Sequence, residues 1–589
     1  MWPFLSYPLA RIQQIDGHEY DYIIVGGGTA GCVVASRLSE DPTVSVLLVE
    51  KGSVDDRWFT RVPLASCANG TYMVRRPTQS GPAAGNHQSQ VFAAEAMGGT
   101  SRLNAMIYTR GVPAYYDQWA HSGHQSWSWN SVEPHFRKIE HRGAEWPDIE
   151  TARASPGKVQ LRQHKPSSGA FTYLQKAAEA VGLRTEASTN HPTSYAMGYF
   201  NLDLTIDSNG QRHSAERAYL PYEVANERRR SLHICTLATV VKLDIPVDSE
   251  RATGLILQGD PSCMNRHVRV KARREIVLCA GAVCTPQILQ LSGLGPSSLL
   301  QKHGIPLRQD LPGVGAHLLD HSGFPVWIDV APQDTFYHMM KSPYQALKQF
   351  ILYCFFRSGW LKSSFDRAIF FNTAHIDPGK MTVSQADDAL DSYRAHNIPN
   401  VEIMLLPGNS KPDIYSGHSS ITLQTILNQP VSSGTVEIKS TDPATDPDIC
   451  LGLITEQRDR LVARKALQFA LHLAERFVND SGYPHASSIL DGPGSGGAYP
   501  GWNNVSKEEL DNYIDKYIEP GHHLTSSCRM AKRANGGVVD DELRVYGLSN
   551  VRIADASVLP NITPAHPMAS IYMIGERCAD FIRKTWQQV

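Results

Sequence analysis

Tyr22-Ile23-Ile24-Val25-Gly26-Gly27-Gly28-Thr29-Ala30-Gly31 opens a stretch that runs through Cys32-Val33-Val34-Ala35-Ser36 and ends on Val46-Leu47-Leu48-Val49-Glu50. Tyr22 to Val25 is a short continuous apolar run, the pattern of a parallel strand buried on both faces. The spacing then predicts a helix over Thr29 to Ser39 and a second strand over Val44 to Val49. Gly26 permits a tight turn out of the strand, Gly28 lets backbone approach a pyrophosphate, and Gly31 lets the helix pack closely on the sheet. The helix N-terminus presents unpaired N–H groups and the positive end of its dipole to phosphates. Glu50, at the end of the second strand, is placed to accept from ribose hydroxyls and disfavours a 2′-phosphate. Taken alone, this stretch predicts a dinucleotide site.

Working outward, Glu275-Ile276-Val277-Leu278-Cys279-Ala280 reads as another buried strand, followed by Gly281 and a helix through Leu291 that stops at Gly293. Ser433 to Ser440 alternates as a half-buried strand would, and suits an antiparallel sheet walling a substrate pocket. Residues 489–502 are dense in Gly and Pro and predict a loop, either a lid or a plain connector.

A chain of 589 residues is long enough for two domains. Its 42% hydrophobic and 19% charged residues mark it as globular, and a net charge of −2 gives no long-range pull toward nucleic acid or anionic membrane. The ten cysteines form no C-x-x-C pair, which argues against a zinc knuckle or a disulfide framework, so buried free thiols are expected and no metal site. No apolar run is long enough to span a bilayer, Phe350 to Phe356 being the longest aromatic-rich patch, so no stable membrane insertion is expected. Met1 to Ile12 is broken by Pro3 and Pro8 and lacks the basic start of a secretory signal, so an intracellular location is expected, with secretion left open.

Two further blocks narrow the cofactor. Ala96-Met97-Gly98-Gly99-Thr100-Ser101-Arg102-Leu103-Asn104-Ala105-Met106, with Tyr108, Arg110-Gly111 and Asp117-Gln118-Trp119 after it, is one. Gly281-Ala282-Val283-Cys284-Thr285-Pro286-Gln287-Ile288-Leu289-Gln290-Leu291-Ser292-Gly293-Leu294-Gly295 is the other. Together they resemble the two signatures of the glucose-methanol-choline (GMC) oxidoreductases, and the resemblance extends from about residue 20 to about 585.

It implies an α/β FAD-binding Rossmann-like domain, expected at 18–155, 205–320 and 525–589, and an α+β substrate domain built on an antiparallel sheet at 156–204 and 321–524. FAD contacts are expected from Gly26, Gly28, Thr29, Ala30, Gly31, Glu50, Gly98, Gly99, Thr100, Asn104, Met106, Val240, Asp555 and Ala556. Gly98 and Gly99 leave room for a planar ring or pyrophosphate near backbone, and Asn104 offers both donor and acceptor. Relatives that hold FAD covalently use a histidine just before this asparagine. Leu103 stands there, which implies noncovalent FAD.

His522-His523-Leu524-Thr525-Ser526-Ser527-Cys528-Arg529-Met530 resembles the family's active-site segment, with His523 in the catalytic place, and Asn561-Ile562-Thr563-Pro564-Ala565-His566-Pro567 supplies its partner His566. The implied chemistry is oxidation of a small-molecule alcohol to a carbonyl: His523 takes the hydroxyl proton, His566 holds the oxygen, and hydride passes to flavin N5, with oxygen or another acceptor closing the cycle. Two alternatives of the same family are a hydroxynitrile-lyase-type activity and fatty-acid photodecarboxylation. The chain departs from the pattern at Glu95, usually basic, at Ser526-Ser527, commonly Gly-Thr, and at Ala531, usually Gly. Phe336, Tyr337, His338, Trp360 and Phe365 are aromatic candidates for the pocket wall.

Overall fold

The computed structural model describes all residues except 1–5, 68–69, 71, 80–87, 143–156, 192–193, 260–266, 363–364, 385–389, 412–416, 495–498 and 588–589. The start of the Met1–Ile12 segment and the centre of the Gly/Pro-rich loop therefore lie outside the described residues.

The strand Glu19–Val25 sits inside a seven-stranded sheet. Val46–Val49 pairs parallel with it on one side and Leu232–Cys235 lies beyond, also parallel. On its other side runs the long strand His267–Leu278. The second half of that long strand also pairs parallel with Val551–Ile553, while its first half turns to antiparallel pairing with Gly254–Gly259, which is followed by Ala238–Asp244. Ile23, Ile24, Leu47, Leu48, Val277 and Leu278 are fully buried, as strands covered on both faces require. The helix Thr29–Leu38 covers one face and is itself packed against the C-terminal helix Met568–Gln587. The second strand starts at Val46 rather than Val44, because the Val44 N–H turns back to the Asp41 carbonyl.

The second sheet has eight strands. Ser322–Asp329, Ser420–Leu427, Val401–Leu406, Arg367–Phe371 and Gly198–Asn201 follow one another in antiparallel pairing, and Thr185–Glu186 adds a parallel edge. The helices Ala170–Ala180, Gln457–Asp480 and Lys507–Tyr517 back it with one continuous apolar core. Its other face looks toward the first sheet, and alternate residues Met404, Leu406, Gln424 and Ile426 reach a cavity between the two. The stretch Ser433 to Ser440 does contain a strand, Thr435–Glu437, but it pairs with Asp448–Cys450 in a separate two-stranded ribbon instead of walling the pocket.

Candidate active site

A cavity of about 710 Å³ opens where the parallel strands of the first sheet end. Gly26 and Gly28 after the first strand, Glu50 after the second, Ala280-Gly281 after the long strand and Asp555-Ala556 after the last all line it. Carboxyl ends of strands are where open α/β sheets hold nucleotides. Here the room is made by missing side chains. A Cβ on Gly26, which has φ +100°, would lie 2.5 Å from the Cys279 carbonyl oxygen, and one on Gly31 would lie 1.9 Å from that of Gly26. The helix Thr29–Leu38 has no side-chain cap, so the N–H groups of its first turn face the cavity. Glu50 braces the turn: its two carboxylate oxygens accept from the Gly27 and Gly52 N–H groups at 2.7 Å each. Burial pushes this carboxyl above its ordinary pKa.

Of the residues expected to contact the cofactor, Gly26, Gly28, Thr29, Ala30, Glu50, Gly99, Thr100, Asn104, Val240, Asp555 and Ala556 line the cavity. Gly31 and Gly98 act one layer back, Gly31 by its close approach to Gly26 and Gly98 by donating its N–H to the Gly27 carbonyl at 2.7 Å. Met106 is a correction: with φ +63° it turns away into a small core with Phe200 and Leu204, and only its N–H reaches Asn104 Oδ1. Asn104 is further held by the buried Arg212, which donates to its side-chain oxygen at 2.9 Å and its carbonyl at 2.6 Å. Among the five aromatic candidates only Phe365 is a cavity wall; Phe336 instead packs under Gly408.

At two of the departures from the family pattern the structure shows what the residue present does. Pro286 lies inside the helix Gly281–Leu291 and has no N–H for the Ala282 carbonyl. Ser527 fills the gap, its hydroxyl donating to Ala282 O at 2.6 Å. Glu95 forms ion pairs with Lys51 at 2.8 Å and Arg76 at 2.9 Å, so its charge is balanced at the cavity rim. Nothing in the structure explains Ala531.

At the far end of the cavity the two expected histidines meet, with ring centroids 4.7 Å apart. His523 sits in a clamped loop. Its N–H donates to Asp320 Oδ1 at 2.6 Å, the His522 N–H donates to Oδ2, and Leu319 and Thr525 exchange both backbone hydrogen bonds. His522 and Ser526 hold positive φ of 60° and 68° on either side of it, a strained arrangement that the clamp maintains. Burial pushes Asp320 up to about 7, although the N–H of His523 and three others pull it down.

Two side chains that sequence reasoning left out complete the pair. His321 Nδ1 lies 2.9 Å from His523 Nδ1, and its Nε2 lies 3.0 Å from the Thr563 carbonyl oxygen. Glu402, fully buried on the strand Val401–Leu406, lies 3.0 Å from His566 Nε2. Each has a local mark in the sequence: Asp320-His321 follows the Pro312-Gly313-Val314-Gly315 stretch, and Glu402 is a lone acid in an otherwise apolar strand.

Proton positions follow from partner chemistry. A carbonyl oxygen only accepts, so His321 carries its hydrogen on Nε2. Burial holds His321 down to about 3, so it is neutral and its Nδ1 accepts from His523 Nδ1–H. His523 is itself held well below 6.5, first by burial and then by His566, His321 and His522. A neutral His523 that donates from Nδ1 keeps its lone pair on Nε2.

Cofactor fit can be judged from the donors. Glycine clearances, an uncapped helix start and a buried acid at the end of the second strand suit a dinucleotide, and the cavity continues from them to the histidine pair.

Comparison with known proteins agrees with this geometry. Two GMC oxidoreductase family models match residues 20–323 and 430–575. A protein named oxygen-dependent choline dehydrogenase from Yersinia pseudotuberculosis is 31% identical, with 96% of this chain and 94% of the relative aligned. Among solved structures, an FAD-dependent oxidoreductase from Chaetomium thermophilum superposes with a TM-score of 0.82 at 28% identity, over 96% of this chain and all of that one. A fungal aryl-alcohol oxidase shares the fold with a TM-score of 0.80 at 22% identity, over 97% of this chain and all of that one. The chain belongs to the GMC oxidoreductase family and is an FAD-dependent oxidoreductase.

Proposed function

We propose that the protein oxidises a neutral, largely apolar alcohol to a carbonyl, with His523 as general base. The observation that carries this reading is the hydrogen-bond chain from the Thr563 carbonyl through His321 to His523 Nδ1, which leaves His523 Nε2 as the acceptor. That lone pair takes the hydroxyl proton. His566 supplies the complementary donor. A buried carboxyl–imidazole pair is least costly when net neutral, and the net-neutral Glu402–His566 pair always carries a hydrogen on Nδ1, wherever the proton between them sits. Nδ1–H then holds the alkoxide as charge develops on it. Bound FAD supplies the acceptor for the hydride leaving the alcohol carbon. The units proposed to hold it are 18–155, 205–320 and 525–589, with 156–204 and 321–524 closing the substrate side. With Leu103 on the cavity wall where covalent relatives carry histidine, FAD is held noncovalently, and acid precipitation should release it to the supernatant.

Substrate class follows from the walls. Phe92, Phe365, Met404, Leu406 and Ile426 make the reacting end apolar, with Gln424 as a neutral polar group. Every described acid lining the cavity is already engaged: Glu50 by backbone N–H groups, Glu95 and Asp446 by Arg76, Glu519 by Lys411, and Asp555 by Gly281 N, Thr285 and Ser557. A quaternary ammonium would therefore meet no free carboxylate. Lys51 and Arg76, the two Lys or Arg side chains among the described wall residues, are also paired, which disfavours a carboxylate substrate.

Anaerobic mixing of the FAD-loaded protein with a panel of primary aliphatic and aryl alcohols, and with choline, tests the reading. Bleaching of the flavin by neutral alcohols and not by choline is expected. A flavin that no alcohol bleaches, together with carbonyl and cyanide released from an added cyanohydrin while the flavin stays oxidised, would reject oxidation in favour of a lyase.

A further inference from the structure

The helix Pro343–Phe356 is turned inside out. Its buried positions are the polar ones: Gln349 accepts from the Trp360 N–H, and the Tyr353 hydroxyl donates to the Gly210 carbonyl. Its outward positions are Tyr344, Leu347, Phe350, Ile351, Phe355 and Phe356, with Phe355 77% and Tyr344 71% exposed. Of sixteen large apolar side chains exposed among the described residues, seven fall between Met340 and Phe356, so the exposure is concentrated here and not scattered. Trp58, also exposed, stacks edge-on to Phe350 at 5.8 Å and widens the patch.

Charge selects the occupant. Between Thr335 and Phe365 the sequence has Lys341, Lys348, Arg357 and Lys362 and no acid, in a chain whose net charge is −2. A second copy meeting this face about a two-fold axis would set these cations against themselves. An anionic lipid surface accepts both features: aromatic and aliphatic side chains sink between headgroups while lysines reach the phosphates. At 14 residues the helix is about 21 Å long, too short to cross the roughly 30 Å hydrocarbon layer but suited to lie in its plane. Trp360–Lys362, which follows it, packs on the helix Pro63–Cys67, and Cys67 and Phe365 are walls of the catalytic cavity. The patch is thus one layer from the site.

We infer that this face seats the protein reversibly on an anionic membrane surface. The test is flotation of the full-length, FAD-loaded protein with phosphatidylcholine vesicles and with vesicles containing phosphatidylserine. Association with the anionic vesicles, weakened by salt, is expected. Phe355→Glu combined with Phe356→Glu, and separately Lys348→Glu, should reduce it, the double variant by about tenfold or more. FAD content and turnover of a water-soluble alcohol should stay unchanged. Failure of the native protein to float with anionic vesicles, or equal flotation of native and variant proteins, would overturn the inference. So would conversion of a dimer to a monomer by the double substitution in sedimentation equilibrium, which would make the patch a protein interface.

Discussion

At His523, Nδ1 is engaged by His321 and only Nε2 is left to accept a proton. Protonation of Nε2 would abolish that capacity, so activity depends on how low the pKa of His523 is held. Burial and the neighbouring imidazoles lower it well below 6.5, which extends the neutral, base-competent form to more acid pH. The acid limb of kcat/KM should accordingly lie below pH 6.5, with a plateau above it; a limb centred at or above 6.5 in a pH–rate profile would contradict the assignment. His321→Ala should retain FAD yet lower kcat/KM by about 10²-fold, because the base loses the partner that fixes its tautomer and orientation. Steady-state kinetics on protein of unchanged flavin content reads this directly.

At the scale of the element, the strand, turn, helix and acid from Tyr22 to Glu50 act as one unit. Glu50→Ala would leave the buried Gly27 and Gly52 N–H groups without their acceptor, at about 1–3 kcal/mol each, and loosen the turn under the pyrophosphate. Purified variant should carry a lower ratio of flavin to protein absorbance than the native protein, and an unchanged ratio would remove Glu50 from the cofactor site. This unit was legible in the sequence because both of its signals are local: apolar continuity within a strand and glycine spacing within a turn. The histidines were legible only through resemblance. Their partners carry local marks but no sign of the pairing, since His321 and Glu402 lie 202 and 164 residues from the rings they touch and are brought there by strand order in the second sheet. Met106 misled because a motif neighbour need not share the motif's face; its positive φ sends the side chain the other way.

Across the whole molecule, the N-terminal and C-terminal helices are tied by a buried charge. Arg37 donates to Glu576, which also accepts from Tyr219 and pairs with Lys138. Glu576→Ala would strand Arg37 with only Glu40 beside it, a loss of about 3 kcal/mol. Thermal unfolding at saturating FAD should show a clearly lower midpoint, and an unshifted midpoint would mean the pair is dispensable. The seven-stranded sheet itself is assembled from segments as distant as Glu19 and Ile553, so losses at this contact reach the cofactor site through the helix Thr29–Leu38.

The account rests on proton removal by His523. Rapid anaerobic mixing of FAD-loaded His523→Ala with a neutral alcohol that reduces the native protein tests it most directly. The account predicts full FAD content and flavin bleaching slowed by at least about 10²-fold. Bleaching at the native rate would contradict it.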